Sequence, residues 1–247
     1  MTVNLTSIIL NQEDWRENDA WLTIYTRELG KLEAAAKGVR KKESKLASHL
    51  EPLATAEMFI VRGRSWPIVA GSSVISPRFS LRNDWGRLTA AGAAVNLVDL
   101  MTPLESPDER IYNLLDELLS IFADNFLEPP AAKLLVFMLA WKMLSLTGYR
   151  PQLKICVQCR RQSLGERFYF FPRRGGVIHG RCSAPAKDGK IEIKENSLKG
   201  LAYMLEAPIS SVLRLRGPRS SFEEMAEVIV KSFEERMEMS FPAMSRR

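Results

Sequence analysis

The feature that most constrains the fold of this chain is a change in hydrophobic patterning near Ser76-Pro77. Before this point, short segments rich in β-branched and aromatic residues alternate with polar or glycine-bearing turns, as β-strands do. After it, apolar residues recur at helical spacing. The chain of 247 residues is therefore predicted to be a multidomain α+β protein, with a strand-rich part followed by a helical part.

Five strands are predicted within residues 1–80, which we interpret as the first domain. They cover residues 3–10, 20–26, 31–39, 53–61 and 66–74, with a polar loop at residues 11–19. Five short strands with such turns are typical of a small closed barrel, and an OB-fold fits the number. A plain antiparallel sheet of the same length fits it equally well, so the pattern alone leaves both open.

A helical domain is predicted over residues 81–149 and is completed by helices in residues 193–247. Its helices should cover residues 88–101, 107–127 and 129–146, with Ser106 as the N-cap of the second. The third is very apolar but shorter than the ~20 residues that span a membrane, so it is predicted to be a core helix. Ser221 and Glu224 have the spacing of a capping box for the last helix.

An insertion at residues 150–192 carries a four-residue constellation with metal-ligand spacing. Cys156-x-x-Cys159 is followed, after a strand-like FYFF and a Gly-Gly turn, by His179-x-x-Cys182. Three thiolates and one imidazole complete the tetrahedron of a zinc ribbon. The insertion has few apolar residues, so a structural zinc ion would replace a missing core. A ribbon that keeps its shape without the ion is the alternative.

The net charge of +6 and the pI of about 9.3 favour a polyanionic partner. The positive residues cluster between residues 27 and 50, and we predict that this basic segment binds nucleic acid through Arg27, Lys31, Lys37, Arg40, Lys41, Lys42 and Lys45. A helix after Gly38 would place four of them on one face. Aromatic residues of the barrel could stack on bases, and Trp15, in the polar loop, is the candidate for exposure.

The chain contains none of the enzyme motifs for which we searched. A phosphate-binding glycine loop, a serine nucleophile elbow, a helical His-Glu zinc motif and the deaminase motif are absent from the sequence. Carboxylate pairs such as Asp116/Glu117 are expected on solvated helix faces. The protein is therefore predicted not to be an enzyme. Its N-terminus lacks the pattern of a secretory signal, which predicts a cytoplasmic location without a membrane partner.

The segment DWRENDAWLTIYTRELGKLEAAAKGVRKKESKLASHLEP resembles the RecO family of bacterial recombinational repair proteins. The resemblance extends over the whole chain, through the order of barrel, helical bundle, Cys-x-x-Cys insertion and closing helices. It implies an OB-fold that binds single- and double-stranded DNA and anneals strands in the nucleoid. It also implies that RecR, and in some bacteria RecF, help it to load RecA onto DNA coated by single-strand-binding protein.

One further expectation rests on the resemblance. The acidic, apolar C-terminal tail of single-strand-binding protein is expected to dock on the apolar helix at residues 134–146, which has Lys133 and Lys142 at its margins. The family often has four cysteines and a glycine after the second, whereas this chain has His179 and Arg160 at those places. A protein-binding adaptor and an RNA-binding barrel remain alternatives, because the residues alone do not distinguish them.

Overall fold

The computed structural model describes residues 2–41, 43–44, 49–162, 167–182 and 189–242. Within them the chain forms two compact units, one up to Ala132 and the other from Lys133 onward. The division into four domains made from the sequence stays a prediction.

The first unit opens with a closed five-stranded barrel. Its strands are β1 (Thr2–Asp14), β2 (Ala20–Thr26), β3 (Gly30–Ala36), β4 (Thr55–Arg62) and β5 (Pro67–Ser76). They pair in the order β1-β2-β3-β5-β4, and β1 also pairs with β4 to close the barrel. β3 meets β5 in parallel at Ala35 and Ile68. This closed barrel confirms the predicted OB-fold and excludes the alternative of a plain antiparallel sheet.

Two strand boundaries differ from those expected. β1 continues through Asn11–Asp14, which were expected in a loop, because a bulge after Ile9 restores its pairing with β2. Exposed polar side chains do not prevent that pairing, since the ladder uses backbone groups. β3 ends at Ala36 instead of Val39, and residues 37–40 form turns.

Alanines of β3 pack against larger residues inside the barrel. Ala34 and Ala36 are fully buried and share a core with Leu22, Ile24 and Met58. Small side chains on one strand leave room for the leucine, isoleucine and methionine side chains of the others. This packing explains why an alanine-rich segment forms a strand despite its helical propensity.

Within the described residues, five α-helices follow the barrel. They are α1 (Trp85–Met101), α2 (Glu109–Asp124), α3 (Pro129–Leu146), α4 (Glu195–Glu206) and α5 (Arg219–Met237). Asp84 caps α1 by accepting a hydrogen bond from the Arg87 amide at 2.8 Å. Asp108, not Ser106, caps α2 by accepting from the Arg110 amide at 2.9 Å. A carboxylate at this position also favours the positive end of the helix dipole.

α3 is a core helix, as expected. By length and composition it could span a membrane, but 56% of its residues are buried inside the protein. Residues 135–141 are buried without interruption. A helix that is apolar on all sides is typical of a protein interior.

The capping box predicted for α5 is wrong. α5 begins at Arg219, and Ser221 lies inside its first turn. Glu224 instead accepts hydrogen bonds from the Ser197 hydroxyl at 2.6 Å and the Lys194 amide at 3.1 Å. It therefore ties α5 to the start of α4.

The insertion in the second unit forms a three-stranded antiparallel sheet. Its strands are β6 (Phe168–Phe171), β7 (Gly176–His179) and β8 (Ile191–Ile193), in the order β7-β6-β8. Cys156, Phe171 and Ile178 form a small apolar cluster of their own. Phe168, Phe170, Val177 and Ile191 are buried as well, so the insertion has more buried apolar residues than the sequence analysis expected.

Candidate nucleic-acid interface and metal centre

Three tryptophans meet at one end of the barrel. Trp15 follows β1, Trp21 lies near the start of β2, and Trp66 precedes β5. The ring centroid of Trp15 is 5.4 Å from that of Trp21 and 5.1 Å from that of Trp66. All three residues are partly exposed. We call these residues the tryptophan cluster.

Arg16 covers the tryptophan cluster from the β1–β2 turn. Its guanidinium carbon lies 4.1 Å from the Trp15 ring centroid and 6.0 Å from that of Trp66. The Arg16 backbone is left-handed, with φ of 77°. Such a conformation is uncommon outside glycine and costs free energy, so it concentrates at functional sites.

The basic loop after β3 lies against the same turn. The Gly38 amide donates to the Asp19 carboxylate at 2.8 Å, and the Arg40 amide donates to the Asn18 carbonyl at 3.1 Å. Lys37 and Lys41 are exposed in this loop. The loop therefore holds two lysines at the barrel end that carries the tryptophan cluster.

The β4–β5 turn brings two more cations to this end. Arg62 and Arg64 are exposed on either side of Gly63. The Gly63 amide donates to the Trp66 carbonyl at 3.1 Å, and a Cβ on Gly63 would collide with that carbonyl. A glycine is needed here for the close approach that positions Trp66.

The five predicted cations that the structure describes, Arg27, Lys31, Lys37, Arg40 and Lys41, do not form one row. Residues 37–40 form turns and Lys41 lies in a bend, because the backbone follows the β1–β2 turn, so the described part of the segment after Gly38 is not helical. Lys42 and Lys45 lie outside the described residues.

Arg27 and Lys31 lie at the opposite end of the β2–β3 hairpin, where they face the helices of the same unit. Arg27 is 3.8 Å from a Glu109 carboxylate oxygen and stacks over Tyr112 at 4.8 Å. Lys31 donates to both the carboxylate and the carbonyl of Asp99, at 3.1 and 2.7 Å. Arg40 is at the tryptophan end but is paired with Asp14. These three side chains have structural partners within the protein.

Arg16, Trp21 and Trp66 were not among the site residues predicted from the sequence. The signal that could have placed Trp21 near Trp15 is the β1–β2 hairpin, because Trp21 lies opposite Glu13 near the end of β1. Tyr25, another barrel aromatic, is instead fully buried, and burial raises its pKa to about 12. Its hydroxyl donates to the Asp108 carbonyl at 3.3 Å.

The four predicted metal ligands come together in the insertion. Cys156, Cys159, His179 and Cys182 place one sulfur or nitrogen atom each within 4.8 Å of one another. A Zn–S bond is about 2.3 Å long, so small rotations would let these atoms share one ion. The residues therefore form a cluster that can bind a metal ion.

The orientation of His179 suits a metal ligand. Its Nε2 lies 2.9 Å from the Gln162 carbonyl, which can only accept, so Nε2 carries the proton. Nδ1 then offers its lone pair to the cluster and lies 3.3 Å from the Cys159 sulfur. A hydrogen bond that fixes the tautomer in this way commonly accompanies histidine ligation.

Backbone amides stabilise the thiolate form of the first cysteine. Burial raises the pKa of Cys156, but hydrogen bonds from the amides of Cys159 and His179 lower it further, to about 6. A thiolate is the form that binds metal. The thiol of Cys182 has a raised pKa because of burial and its cysteine neighbours.

Arg160, the residue after the second cysteine, has a left-handed backbone. Its φ is 62°, and its amide donates to the Cys156 carbonyl at 2.9 Å. A left-handed residue closes the turn around the first two cysteines. Glycine takes this conformation without steric cost.

The docking groove expected on α3 is not formed by its apolar residues. Leu135, Phe137 and Leu139 are all buried. Lys142 donates to the Leu205 carbonyl at 3.0 Å, and Lys133 lies over the Phe137 ring. A peptide cannot reach side chains that already form a core.

Comparisons with known proteins agree on one family. Residues 1–78 match the family model for the N-terminal part of recombination protein O, and residues 82–245 match the model for its C-terminal part. This chain belongs to the RecO family.

Similar proteins named DNA repair protein RecO occur in several bacteria. The protein of Desulfitobacterium hafniense is 29% identical over 97% of this chain and 86% of its own length. That of Dehalococcoides mccartyi is 31% identical over 89% of this chain and 84% of its own length. The boundary between the two RecO segments coincides with the change in patterning near Ser76-Pro77. The metal cluster lies in the C-terminal RecO segment.

Proposed function

We propose that this RecO-family chain is a DNA-binding recombination mediator. In this proposal it binds and anneals single-stranded DNA, helps to load RecA onto strands coated by single-strand-binding protein, and has no catalytic activity of its own. The observation that carries the proposal is the tryptophan cluster, with Arg16 above it and exposed lysines beside it.

The tryptophan cluster supports single-strand binding through two kinds of contact. Bases without a partner strand can stack on an open indole ring, which contributes about 1–3 kcal/mol per base. Phosphates next to the stacked bases would meet Arg16, Lys37 and Lys41, all of which are exposed. Stacking together with positive charge is the usual chemistry of single-strand binding by OB-folds.

Titration of fluorescein-labelled single strands at several salt concentrations tests the proposal. Trp15→Ala should weaken binding by about 5- to 150-fold, and Trp15→Phe should retain most of it. Lys37→Ala with Lys41→Ala should reduce the slope of log K against log salt by about 1.4, because each lysine neutralises one phosphate. Wild-type affinity for all three variants would refute a site at the tryptophan cluster.

Arg214→Ala with Arg219→Ala is the matched control. Both residues are exposed in the second unit, and the double change removes the same charge as the lysine pair. It should leave the slope nearly unchanged. The same titration with an RNA strand of the same sequence tests the RNA-binding alternative, which tighter binding to RNA than to DNA would favour.

We also propose that the ion held by the cluster is zinc and that its role is structural. Four protein ligands complete a tetrahedron and leave no position for substrate or water. The small apolar cluster around Cys156 supports a need for such an ion, since binding free energy would stabilise the insertion.

The proposed partners are RecR, the tail of single-strand-binding protein and, in some bacteria, RecF. An exposed aromatic surface of the first unit supports tail binding, because Trp85 and Phe126 are each 74% exposed. Arg87 lies 5.6 Å from the Phe126 ring centroid and could pair with the acidic residues of the tail. Such a protein would act in the cytoplasm, at the nucleoid.

Trp85→Ala with Phe126→Ala tests this surface. The change should abolish binding of the tail peptide, measured by fluorescence anisotropy, and leave single-strand affinity intact. If the double variant lost peptide binding and the wild-type protein bound no DNA, the protein would be a protein-binding adaptor and not a DNA-binding mediator. Unchanged peptide binding would place the tail elsewhere.

A further inference from the structure

Arg16 lies where a base would have to be placed to stack on Trp15. The guanidinium carbon of Arg16 is above the Trp15 ring, 4.1 Å from the ring centroid. Non-bonded carbon atoms in contact are about 3.5–4.0 Å apart, so the guanidinium rests on the ring. A base and the guanidinium cannot occupy this position at the same time.

The other two rings of the tryptophan cluster do not stack on Trp15. The Trp21 ring is tilted against it by 58°, and the Trp66 ring meets it edge-on at 89°. Arg16 is exposed. A strand that approaches from solvent can therefore reach the position that the guanidinium occupies.

The β1–β2 turn places Arg16 over the ring of the residue before it. The Trp15 amide donates to the Asp19 carbonyl at 3.1 Å, which closes the turn. Within the turn, Arg16 has a left-handed backbone with φ of 77°, which reverses the direction of the chain. The contact between Arg16 and Trp15 is thus a property of the folded turn in the absence of DNA.

The carboxylates of this turn are not ion-paired with Arg16. Asp14 is paired with Arg40, and Asp19 accepts a hydrogen bond from the Gly38 amide at 2.8 Å. Among the residues that the structure describes, no Asp or Glu forms an ion pair with Arg16. Movement of its guanidinium away from the ring therefore breaks no such pair.

A base binds an indole ring more strongly than an exposed guanidinium does. A cation over a ring at an exposed site changes an equilibrium constant by about 2- to 5-fold. Stacking of one base changes it by about 5- to 150-fold. A guanidinium that leaves the ring keeps its five N–H donors, which match the geometry of a phosphate group.

We propose that an unpaired base displaces Arg16 from the Trp15 ring, and that the Arg16 guanidinium then pairs with the phosphate next to that base. This inference rests on the proposed function and gives Arg16 two roles at the same site. In the free protein it covers the ring, and in the complex it holds the backbone. The bases of a duplex are already paired and stacked, so they do not make this exchange.

Two single strands of the same base sequence separate the two roles, one with a phosphate backbone and one with an uncharged methylphosphonate backbone. Arg16→Ala should bind the methylphosphonate strand about 2- to 5-fold more tightly, because the base no longer competes with the guanidinium. It should bind the phosphate strand about 2- to 4-fold more weakly at about 50 mM salt, because the lost phosphate contact outweighs that gain. Fluorescence anisotropy of fluorescein-labelled strands measures both affinities.

The salt dependence and two further variants check the assignment. For the phosphate strand, Arg16→Ala should reduce the slope of log K against log salt by about 0.7, as expected for one phosphate contact. Arg16→Lys keeps the charge and should keep the slope. Arg214→Ala removes one exposed arginine from the second unit and should leave the affinity for both strands unchanged. Circular dichroism confirms that each variant is folded.

Quenching of tryptophan fluorescence by acrylamide tests the cover over Trp15 without DNA. Arg16→Ala should increase the quenching constant, because acrylamide then reaches the Trp15 ring. In a Trp15→Phe background the same change should have no effect. An unchanged quenching constant in Arg16→Ala would show that Arg16 does not cover the ring and would overturn the inference.

The outcomes separate this inference from the proposed function. Weaker binding of both strands by Arg16→Ala would mean that the guanidinium stacks on the bound base, and displacement would be wrong. Unchanged affinity for both strands would also overturn it. In either case, weaker single-strand binding by Trp15→Ala would still support the tryptophan cluster. Wild-type affinity in Trp15→Ala would refute the site itself and the exchange with it.

Discussion

At the scale of single residues, one buried arginine joins the barrel to α2 within the first unit. The Arg78 side chain is 2% exposed and donates to the Leu53 carbonyl at 3.0 Å and the Thr55 hydroxyl at 2.7 Å. It is also paired with the Asp116 carboxylate at 2.5 Å. A pair of adjacent carboxylates was expected to be solvated, and Asp116 is instead the counterion of a buried guanidinium.

Arg78→Met should destabilise the first unit by about 1–3 kcal/mol. The change leaves the Leu53 carbonyl without the Arg78 donor and the Asp116 carboxylate with the Thr55 hydroxyl as its remaining donor, and lost hydrogen bonds at a buried charged group have a cost of this size. Urea unfolding followed by circular dichroism measures it. Arg82→Met is the control, because its pair with Glu51 is largely exposed and should contribute less than about 1 kcal/mol. Equal losses in both variants would contradict the role given to Arg78.

Arg160→Gly should stabilise the second unit by about 1 kcal/mol, because a left-handed backbone strains arginine and not glycine. Thermal unfolding of the zinc-loaded protein measures the change. Arg161→Gly is the matched control, since its φ is not positive and glycine there only adds freedom to the unfolded chain. Destabilisation of similar size in both variants would rule out strain at Arg160.

At the scale of elements, α4 and α5 are joined by a carboxylate. Burial raises the pKa of Glu224, but hydrogen bonds from Ser197 and Lys194 lower it further, so the net shift is below its ordinary value of 4.5. A carboxyl group whose pKa is depressed by folding stabilises the protein when it is ionised. That contribution is present above pH 4.5 and is lost as the pH falls through the folded-state pKa.

Glu224→Gln should therefore destabilise the second unit by roughly 1 kcal/mol at neutral pH, as expected for the loss of charge-assisted hydrogen bonds at a partly exposed site. The difference from the wild type should shrink as the pH falls below 4.5. Unfolding by urea at a series of pH values measures it. Glu223→Gln, at an exposed pair with Arg219, should give a small difference at every pH. A difference for Glu224→Gln that does not depend on pH would contradict the assignment.

At the scale of the whole molecule, the two compact units should respond differently to loss of metal. Chelation removes the ion that is proposed to stabilise residues 150–192, whereas the barrel unit has a core of its own. Trypsin should then cut within the insertion, which is rich in arginine, and leave a fragment that contains residues 2–132. Mass spectrometry of the digest identifies the sites.

Cys182→Ser provides the corresponding variant, because it removes one ligand without changing the charge pattern. It should be cut at the same places without chelator. Metal analysis of the wild type should find one zinc ion per chain. Metal-free protein that resists trypsin as well as the loaded protein does would show that the insertion holds its shape without an ion.

The sequence by itself determined the class and order of the elements. Strand periodicity predicted all five barrel strands, and helical spacing with its proline and glycine boundaries predicted the helices, because both signals are local. The spacing of Cys156, Cys159, His179 and Cys182 likewise predicted the metal cluster. Ligands that share an ion must be close in space, and the two short motifs bring them together in pairs.

Only the tertiary structure decided which cations share a surface. Arg27 and Lys31 are near Lys37 in sequence, yet a strand of seven residues separates the two ends of the hairpin. Arg16 and Trp66 are fifty residues apart in sequence and lie 6.0 Å apart at the barrel end. The parallel pairing of β3 with β5 at Ala35 and Ile68 brings the β4–β5 turn to the start of β2, and no local pattern records that long-range pairing. The length of the β2–β3 hairpin explains why a run of basic residues in the sequence does not form a single surface in the folded protein.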